Sequence, residues 1–531
     1  MKQPDVLQST ARLLRDRGLT VVFGNPGSNE LPFLAGLGDD FDFVLGLHEQ
    51  AVVGMAEGYS RATGGPVLVN LHAASGTGNA MGALTNAHYG NVPLVILAGQ
   101  QVRETVGQES MLANIDAGML TRPLTKFSHE PLSACDVPRA LSQAIFEAVT
   151  EPRGPVYLSV PLDDWAQPAR ADDALLLQRS VRSAGELPAP LAEELAEELD
   201  GAARPALVLG PQVDAASARD PEVWSALIRL AERTDASVYV APSPPRGVFP
   251  TAHPNFCGVL VPGIRSVHDR LVEHDAALVI GAPVFRYHRW EPGSYLPEGT
   301  ALWQITQDPS EAARAPFGRA VVGDVGAAVC ALADRVRDRG SRRPARSLPP
   351  ARTSERGMTG TEILEVLNAQ VREDVVYVNE TTTLDLDYLE RIDISQPNRY
   401  HFPASGGLGF GLPAAVGFAL GQPEATVVAT VGDGSANYGI TALYTAAQRR
   451  TRTVFVIVNN SGYGALAGFA ARMGVPDVPG LGLGGIDFVK IAEGYGVPAS
   501  LVSSRDDFDR AYRDALLAEG PVLIEARVVD A

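Results

Sequence analysis

The sequence predicts three consecutive α/β domains, each organised on a parallel β-sheet. Short runs rich in Val, Ile and Leu alternate along the chain with longer stretches of helical period, the pattern of parallel strands covered by helices. Two stretches interrupt that alternation. Residues 163–190 are charged and proline-bearing, and residues 335–357 carry many Arg and Pro with almost no core formers. A length of 531 residues exceeds a single core, and roughly 150 residues per domain gives about three. The expected units are 1–175, 185–340 and 355–531, joined by exposed linkers.

In the first unit, "MKQPDVLQSTARLLRDRG" reads as an amphipathic helix, and strands are expected at "LTVVFG", "DFVLGL", "GPVLVNL", "VPLVILAG" and "GPVYLSV". Each runs into polar or Gly-rich residues and then a helix. The middle unit shows strands at "PALVLG", "ASVYVA", "AALVIG", "ALWQIT" and "AVVGD", and the third at "VVYV", "ATVVATV" and "TVFVIV". Ligands of open parallel sheets bind beyond the carboxyl ends of the strands. The first three strands exit into "GNPGSNE", "HEQ" and "HAASGTGN", so Ser28, Glu49 and His72 are expected on one rim. The "AALVIG" strand exits into "APVFRYHRW", which places His288 on a strand-end loop. The third unit's strands exit into "NETTT", "GDGSANYG" and "NNSGYG".

Locally, each of these residues has a plain explanation. Glu49 suits a helix N-terminus, Ser28 could cap a helix, and a lone His at a strand end is commonly structural. The composition narrows the classes of function. A net charge of -18 argues against nucleic acid or anionic membrane as partner, since both require basic patches. No apolar run approaches the ~20 residues of a membrane span, and the first residues lack a signal peptide's apolar segment. Cys135, Cys257 and Cys330 are far apart and odd in number, which suits a reducing cytoplasm.

The most specific signal is "VVATVGDGSANYG" followed by "TVFVIVNNSGYG", with 24 residues between "GDG" and "NN". A lone "GDG" is usually a turn. Here Asp433 and Asn460 end two successive strands, and a carboxylate, an amide oxygen and a nearby carbonyl are hard donors suited to Mg²⁺ or Ca²⁺. Such a set leaves metal positions open for a diphosphate. Gly432 and Gly434 admit its phosphates to the backbone, and the helix beginning near Ser435 offers free N–H groups.

This pair is similar to the signature of thiamine diphosphate (ThDP) enzymes. Among them the chain most closely resembles the benzoylformate decarboxylases, through "GNPGSNELPFL", "NLHAASGTGNAMGAL", "GPVYLSVPLDDW", "VIGAPVFRYH", "SGGLGFGLPAA" and "GDGSANY". The motifs span all three units. The resemblance implies pyrimidine-binding, central and diphosphate-binding domains, and a ThDP- and Mg²⁺-dependent decarboxylase of 2-keto acids. It implies that Asp433, Asn460 and the Gly462 carbonyl hold the metal, with Gly434, Ser435 and Tyr463 at the diphosphate. Thr382 and Thr383 would lie along the cofactor, Leu408 would bend it, and the Gly406 carbonyl would receive its amino group. Glu49, in an apolar pocket, would share a proton with the pyrimidine ring. His72 and His288 would move protons during turnover, and Ser28 would orient the substrate carboxylate.

Ala465, Leu466 and Phe469 would line the substrate pocket, whose apolar character favours an aromatic 2-keto acid. The resemblance implies bulky and basic residues just before the matching Phe, where this chain has Ala467 and Gly468, so a wider entrance is expected. The resemblance also implies a homo-oligomer, a dimer at least and a tetramer by expectation, with Glu49, Ser28 and His72 facing the partner's Asp433. Two other readings are weighed against this one. One is a ThDP carboligase or lyase of 2-hydroxy ketones. The other is a non-catalytic nucleotide-binding relative, although "LVLGPQVDAAS" lacks the G-x-G-x-x-G fingerprint.

Overall fold

The computed structural model describes residues 3–183, 185–288, 291–340, 343–475 and 477–529. Its first sheet comprises β1 (Val21–Gly24), β2 (Asp42–Leu45), β3 (Val67–Leu71), β4 (Leu94–Gln100), β5 (Phe127–His129) and β6 (Val156–Pro161), in spatial order β2-β1-β3-β4-β6-β5. The second holds β7 (Pro205–Leu209), β8 (Ser237–Val240), β9 (Phe256–Val259), β10 (Ala276–Ile280), β11 (Ala301–Thr306) and β12 (Arg319–Val322), in order β12-β11-β10-β7-β8-β9. The third holds β13 (Val375–Glu380), β14 (Tyr400–His401), β15 (Thr426–Gly432), β16 (Thr453–Asn459), β17 (Ala499–Val502) and β18 (Val522–Arg527), in order β14-β13-β15-β16-β18-β17.

All these strand pairs are parallel. The chain therefore adopts three consecutive parallel-sheet α/β units, as its sequence predicts. The outer sheets share one topology, and the middle sheet has the order of the dinucleotide-binding folds. Central strands such as β3 and β4 are buried along their whole length, which is why they read as continuous apolar runs.

Five strands have no counterpart in the sequence reading. Four of them, β5, β9, β14 and β17, occupy sheet edges and have two to four residues each. A short edge strand is specified by its neighbour's free backbone groups more than by its own pattern. The fifth, β18, is different. It lies between β16 and β17, and its "VLIEAR" carries a strong apolar signal.

The outer units meet through two helices, Glu49–Thr63 and Gly411–Gly421, packed backbone to backbone. A Cβ added to Gly58 would lie 2.1 Å from the Ala414 carbonyl oxygen, and one at Gly417 would lie 1.9 Å from that of Met55. Only glycine allows that approach. The predicted linkers are more firmly held than their composition suggests. In the first, Trp165 is buried against Phe33 with ring centroids 4.8 Å apart, and Asp164 binds Arg103 at 2.6 Å. In the second, Arg343 binds Asp235 at 2.7 Å, Arg346 donates to the Thr251 carbonyl at 2.6 Å, and Arg352 pairs with Asp387 at 3.0 Å. The arginines that mark this stretch as polar are its anchors.

Candidate active site

The order β2-β1-β3 brings the exits of the first three strands together, as expected for Ser28, Glu49 and His72. His48 caps the Glu49–Thr63 helix, its Nδ1 accepting the Gln50 N–H at 3.2 Å, which gives this residue a structural role. Glu49 follows in the first turn and is 6% exposed. Its pocket is less apolar than the sequence suggests. Asn25 donates an amide N–H to Oε1 at 3.2 Å, and Asn79 donates to Oε2 at 3.0 Å. A Cβ at Gly76 would stand 3.1 Å from Glu49 Oε1 and 3.2 Å from His72 Cβ, so the two side chains flank one helical turn.

His72 is held by a residue that the sequence reading overlooked. Glu30 is 1% exposed, and its Oε1 accepts the backbone N–H groups of Gly99 at 2.8 Å and Ala73 at 3.2 Å. Its Oε2 lies 2.9 Å from His72 Nδ1. A carboxylate partner fixes the Nδ1–H tautomer and leaves Nε2 for proton exchange. Ala73, next in sequence, has φ +42°, a strained conformation of the kind that clusters at functional sites. Ser28 is exposed at the start of a 3-10 turn, and its hydroxyl makes a long contact of 3.3 Å to Asn29. Gly27 precedes that turn without any side-chain cap, so Ser28 is not a capping residue.

In the third unit, β15 and β16 are neighbours and deliver Asp433 and Asn460 to one place. Asp433 Oδ2 and Asn460 Oδ1 both accept the Gly462 N–H, at 3.0 and 3.1 Å, so these hard oxygens converge on one point. Burial pushes the Asp433 carboxyl above its ordinary range, opposed by backbone N–H groups including those of Gly434 and Gly462. The Gly462 carbonyl accepts Gly464 N–H at 3.1 Å, which leaves its second lone pair. Ser435 is buried, and its hydroxyl has no hydrogen-bond partner among the described residues. The Tyr463 ring lies against Gly434, where a Cβ would come within 2.5 Å of it. This donor set fits a divalent cation carrying a phosphate group.

Leu408 sits in a turn made by Gly406 at φ +76° and Gly409 at φ +99°. Gln50 donates to the Leu408 carbonyl at 2.9 Å and Asn86 to that of Gly407 at 2.8 Å, whereas the Gly406 carbonyl accepts no hydrogen bond among the described residues. Beneath the turn lies a second overlooked carboxylate. Glu380 is fully buried and accepts the N–H groups of Gly409 at 2.6 Å, Phe410 at 3.2 Å and Gly411 at 2.7 Å. Burial pushes its carboxyl up to about 7 against the pull of those donors. Thr382 is exposed and Thr383 half-buried beyond it, while Thr381 turns inward to Asn379 at 2.6 Å.

His288 comes from the middle unit and stacks on Phe469, with ring centroids 4.8 Å apart and planes 12° from parallel. Phe469 belongs to the Gly464–Met473 helix, on which only Ala470 is buried, so Ala465 and Leu466 are left partly or largely uncovered. Arg472 takes part of the space that Gly468 leaves beside Phe469. Its guanidinium lies over the Phe469 ring at 4.5 Å and 3.6 Å from where a Gly468 Cβ would stand. Asp385 adds a carboxyl that the sequence reading did not select. Burial pushes it up to about 6, and His288 is close enough to favour its charge. One of its oxygens accepts Leu386 N–H at 2.8 Å.

Family models for the thiamine pyrophosphate enzymes match in three segments. The N-terminal TPP-binding domain matches residues 4–119, the central domain 192–332 and the C-terminal TPP-binding domain 383–526. A benzoylformate decarboxylase of Pseudomonas aeruginosa is 53% identical over 98% of this chain and 98% of its own. The chain belongs to the thiamine pyrophosphate enzyme family. Among solved structures, the ThDP-dependent 4-hydroxybenzoylformate decarboxylase of Rhodococcus jostii RHA1 is 51% identical, covers 99% of this chain and 100% of its own, and has a TM-score of 0.97. The benzoylformate decarboxylase of Polynucleobacter necessarius is 37% identical with a TM-score of 0.94, and 99% of each chain is covered. ThDP is thus the cofactor of this family member. The overlooked Glu30 and Glu380 had one signal in common: an acidic residue at the carboxyl end of a strand or in the loop leaving it.

Proposed function

We propose that the chain catalyses non-oxidative decarboxylation of an aromatic 2-keto acid, benzoylformate or a ring-hydroxylated form of it, to the aldehyde and CO₂. The observation that supports this reading is the stack of His288 on Phe469, in the helix that follows Asn460 and Gly462, with Asp385 within electrostatic reach of His288. Asp433, Asn460 and the Gly462 carbonyl would hold Mg²⁺ or Ca²⁺, and Gly434, Ser435 and Tyr463 the diphosphate. Thr382, Thr383, the Gly406 carbonyl and Leu408 would seat the remainder of the cofactor. When bound, ThDP supplies a cationic ring that accepts the electron pair released with CO₂.

The chain's own groups handle orientation and protons. Glu49, steadied by Asn25 and Asn79, would keep a proton at the pyrimidine-facing rim. Ser28 would bind the substrate carboxylate. His72 would exchange protons through Nε2 while Glu30 holds Nδ1, and His288 would do so from the middle unit. Phe469, with Ala465 and Leu466, would form an apolar wall for an aryl ring, and Asp385 would offer an acceptor to a ring hydroxyl.

With these roles go three units at 1–175, 185–340 and 355–531, a cytoplasmic location and a homo-oligomer whose sites lie between subunits. Among the described residues, no helix is long and apolar enough to cross a membrane.

CO₂ release from benzoylformate, 4-hydroxybenzoylformate, branched and linear 2-keto acids tests the reading, with ThDP and Mg²⁺ supplied. Aromatic acids should turn over best, and preference for a linear acid would reject the proposal. Asp385→Ala should lower kcat/KM for the hydroxylated acid about tenfold relative to benzoylformate, the effect of one lost charge-assisted hydrogen bond. An unchanged ratio would remove Asp385 from recognition. Added acetaldehyde separates the carboligase alternative, which requires a 2-hydroxy ketone as main product.

A further inference from the structure

A cleft of about 750 Å³ opens where the three units meet. Its walls include residues just before β4, β6 and β14, so it lies at the opposite ends of the outer sheets from the candidate site. From the middle unit it takes residues that follow β7 and β11, at the carboxyl ends of that sheet. In the middle sheet β7 pairs with both β8 and β10, so the chain reverses direction beside β7, where open α/β sheets bind ligands.

The charged residues lining this cleft are five arginines, Arg61, Arg153, Arg219, Arg246 and Arg399, and one carboxylate, Glu151. Arg61 and Arg246 line it and are paired with the buried carboxylates of Glu57 at 2.6 Å and Asp214 at 3.0 Å. Arg153 binds Glu151 at 3.0 Å and the Gly64 carbonyl at 2.9 Å. Among the described residues Arg219 pairs with the same Glu151, at 3.9 Å, and is also attracted by Asp324, so two guanidinium groups share the Glu151 carboxylate. Burial, then repulsion from Arg153, weaken the hold of Arg219 on its proton. The remaining polar side chains on the wall add donors, among them the Gln307 and Gln396 amides. An acidic chain that gathers arginines around a cleft of this size offers a setting for negative charge.

We propose that this cleft binds a compact multivalent anion, phosphorylated or dicarboxylate, held by Arg219 and Arg153 across the junction of the first and middle units. Arg153 belongs to the first unit and Arg219 to the helix after β7, so the ligand ties the middle unit, which carries His288, to the first. The site is separate from the ThDP rim, and occupying it leaves that rim free.

The test uses the holoenzyme saturated with ThDP and Mg²⁺, so that the cofactor's own diphosphate site is filled. Inorganic phosphate and succinate are titrated separately by calorimetry and thermal unfolding, with chloride at matched ionic strength as control. A saturable heat and a rise in midpoint are expected with at least one probe. Saturation by phosphate assigns a phosphoryl ligand, and saturation by succinate a dicarboxylate. Arg219→Gln should bind the same probe about tenfold more weakly, the loss of one charge-assisted contact, with no fall in its anion-free midpoint. Arg219→Lys should retain part of the affinity. No saturable binding by either probe, or equal binding by wild type and Arg219→Gln, would overturn the proposal. If Arg219→Gln does not fold, Arg153→Gln takes its place, and the wild-type titration alone still decides whether the cleft binds an anion.

Discussion

At the scale of single residues, the proposed chemistry rests on pairs in which one side chain reads from sequence and its partner does not. Strand-end position and motif selected Ser28, Glu49 and His72 together, and the strand order brings those exits to one rim. Glu30, which orients His72, sits two residues after Ser28 and looked like part of a helix start. Its role depends on which backbone N–H groups the fold brings to it, and no local pattern encodes those. The consequence is measurable. Glu30→Gln keeps the shape but presents an amide to His72 Nδ1, which favours the opposite tautomer and closes Nε2 to incoming protons. We expect kcat for benzoylformate to fall about a hundredfold or more, with ThDP affinity and near-UV circular dichroism unchanged. A variant with wild-type kcat would reduce the Glu30–His72 contact to packing.

At the scale of elements, central strands and their helices were readable because burial on both faces leaves a continuous apolar signal. Edge strands such as β14, with two residues, were not. The turn from Gly406 to Gly409 shows a further limit. Its glycines announce a bend, yet what holds the bend is Glu380, which lies more than 25 residues earlier and receives three backbone N–H groups. That arrangement has a pH signature. The carboxyl's folded value of about 7 lies above its ordinary 4.5. Between those values the folded protein keeps a proton that the unfolded chain has released. The stability contributed is therefore complete below the ordinary value and lost as pH rises through the folded one. Relative to Glu380→Gln, wild type should lose up to about 3 kcal/mol between about pH 4 and pH 8. Urea unfolding of both proteins at the two pH values measures this difference, and a constant gap would show that the three N–H donors hold Glu380 ionised throughout.

At the scale of the whole molecule, the division into three α/β units was legible from composition, while the contacts that fix the units to one another were not. The arginines of residues 335–357 read as solvated linker and prove to be anchors, because composition reports polarity without reporting partners. The arrangement of the two candidate rims follows from similar contacts. Gln50 and Asn86 of the first unit bind the Leu408 turn of the same chain, but Glu49 hydrogen-bonds only to Asn25 and Asn79 among the described residues. The side of the first unit near Ser28 and His72 also exposes apolar surface, with Met111 84% and Met119 56% accessible and Leu112 accepting from Asn29 at 3.4 Å. We propose that a second copy covers this apolar surface and supplies the other half of the site. Mixing tests this directly. Glu49→Gln and Asp433→Ala should each be inactive alone, one lacking the carboxylate proposed to hold a proton and the other the proposed metal ligand. If each site takes Glu49 from one subunit and Asp433 from its partner, a hybrid dimer carries one site with both lesions and one with neither. Random reassociation of equal amounts after unfolding should then restore about a quarter of wild-type activity, since half of the dimers are hybrids and half of their sites are intact. If both residues came from one chain, no pairing could assemble an intact site, and the mixture would stay as inactive as its components.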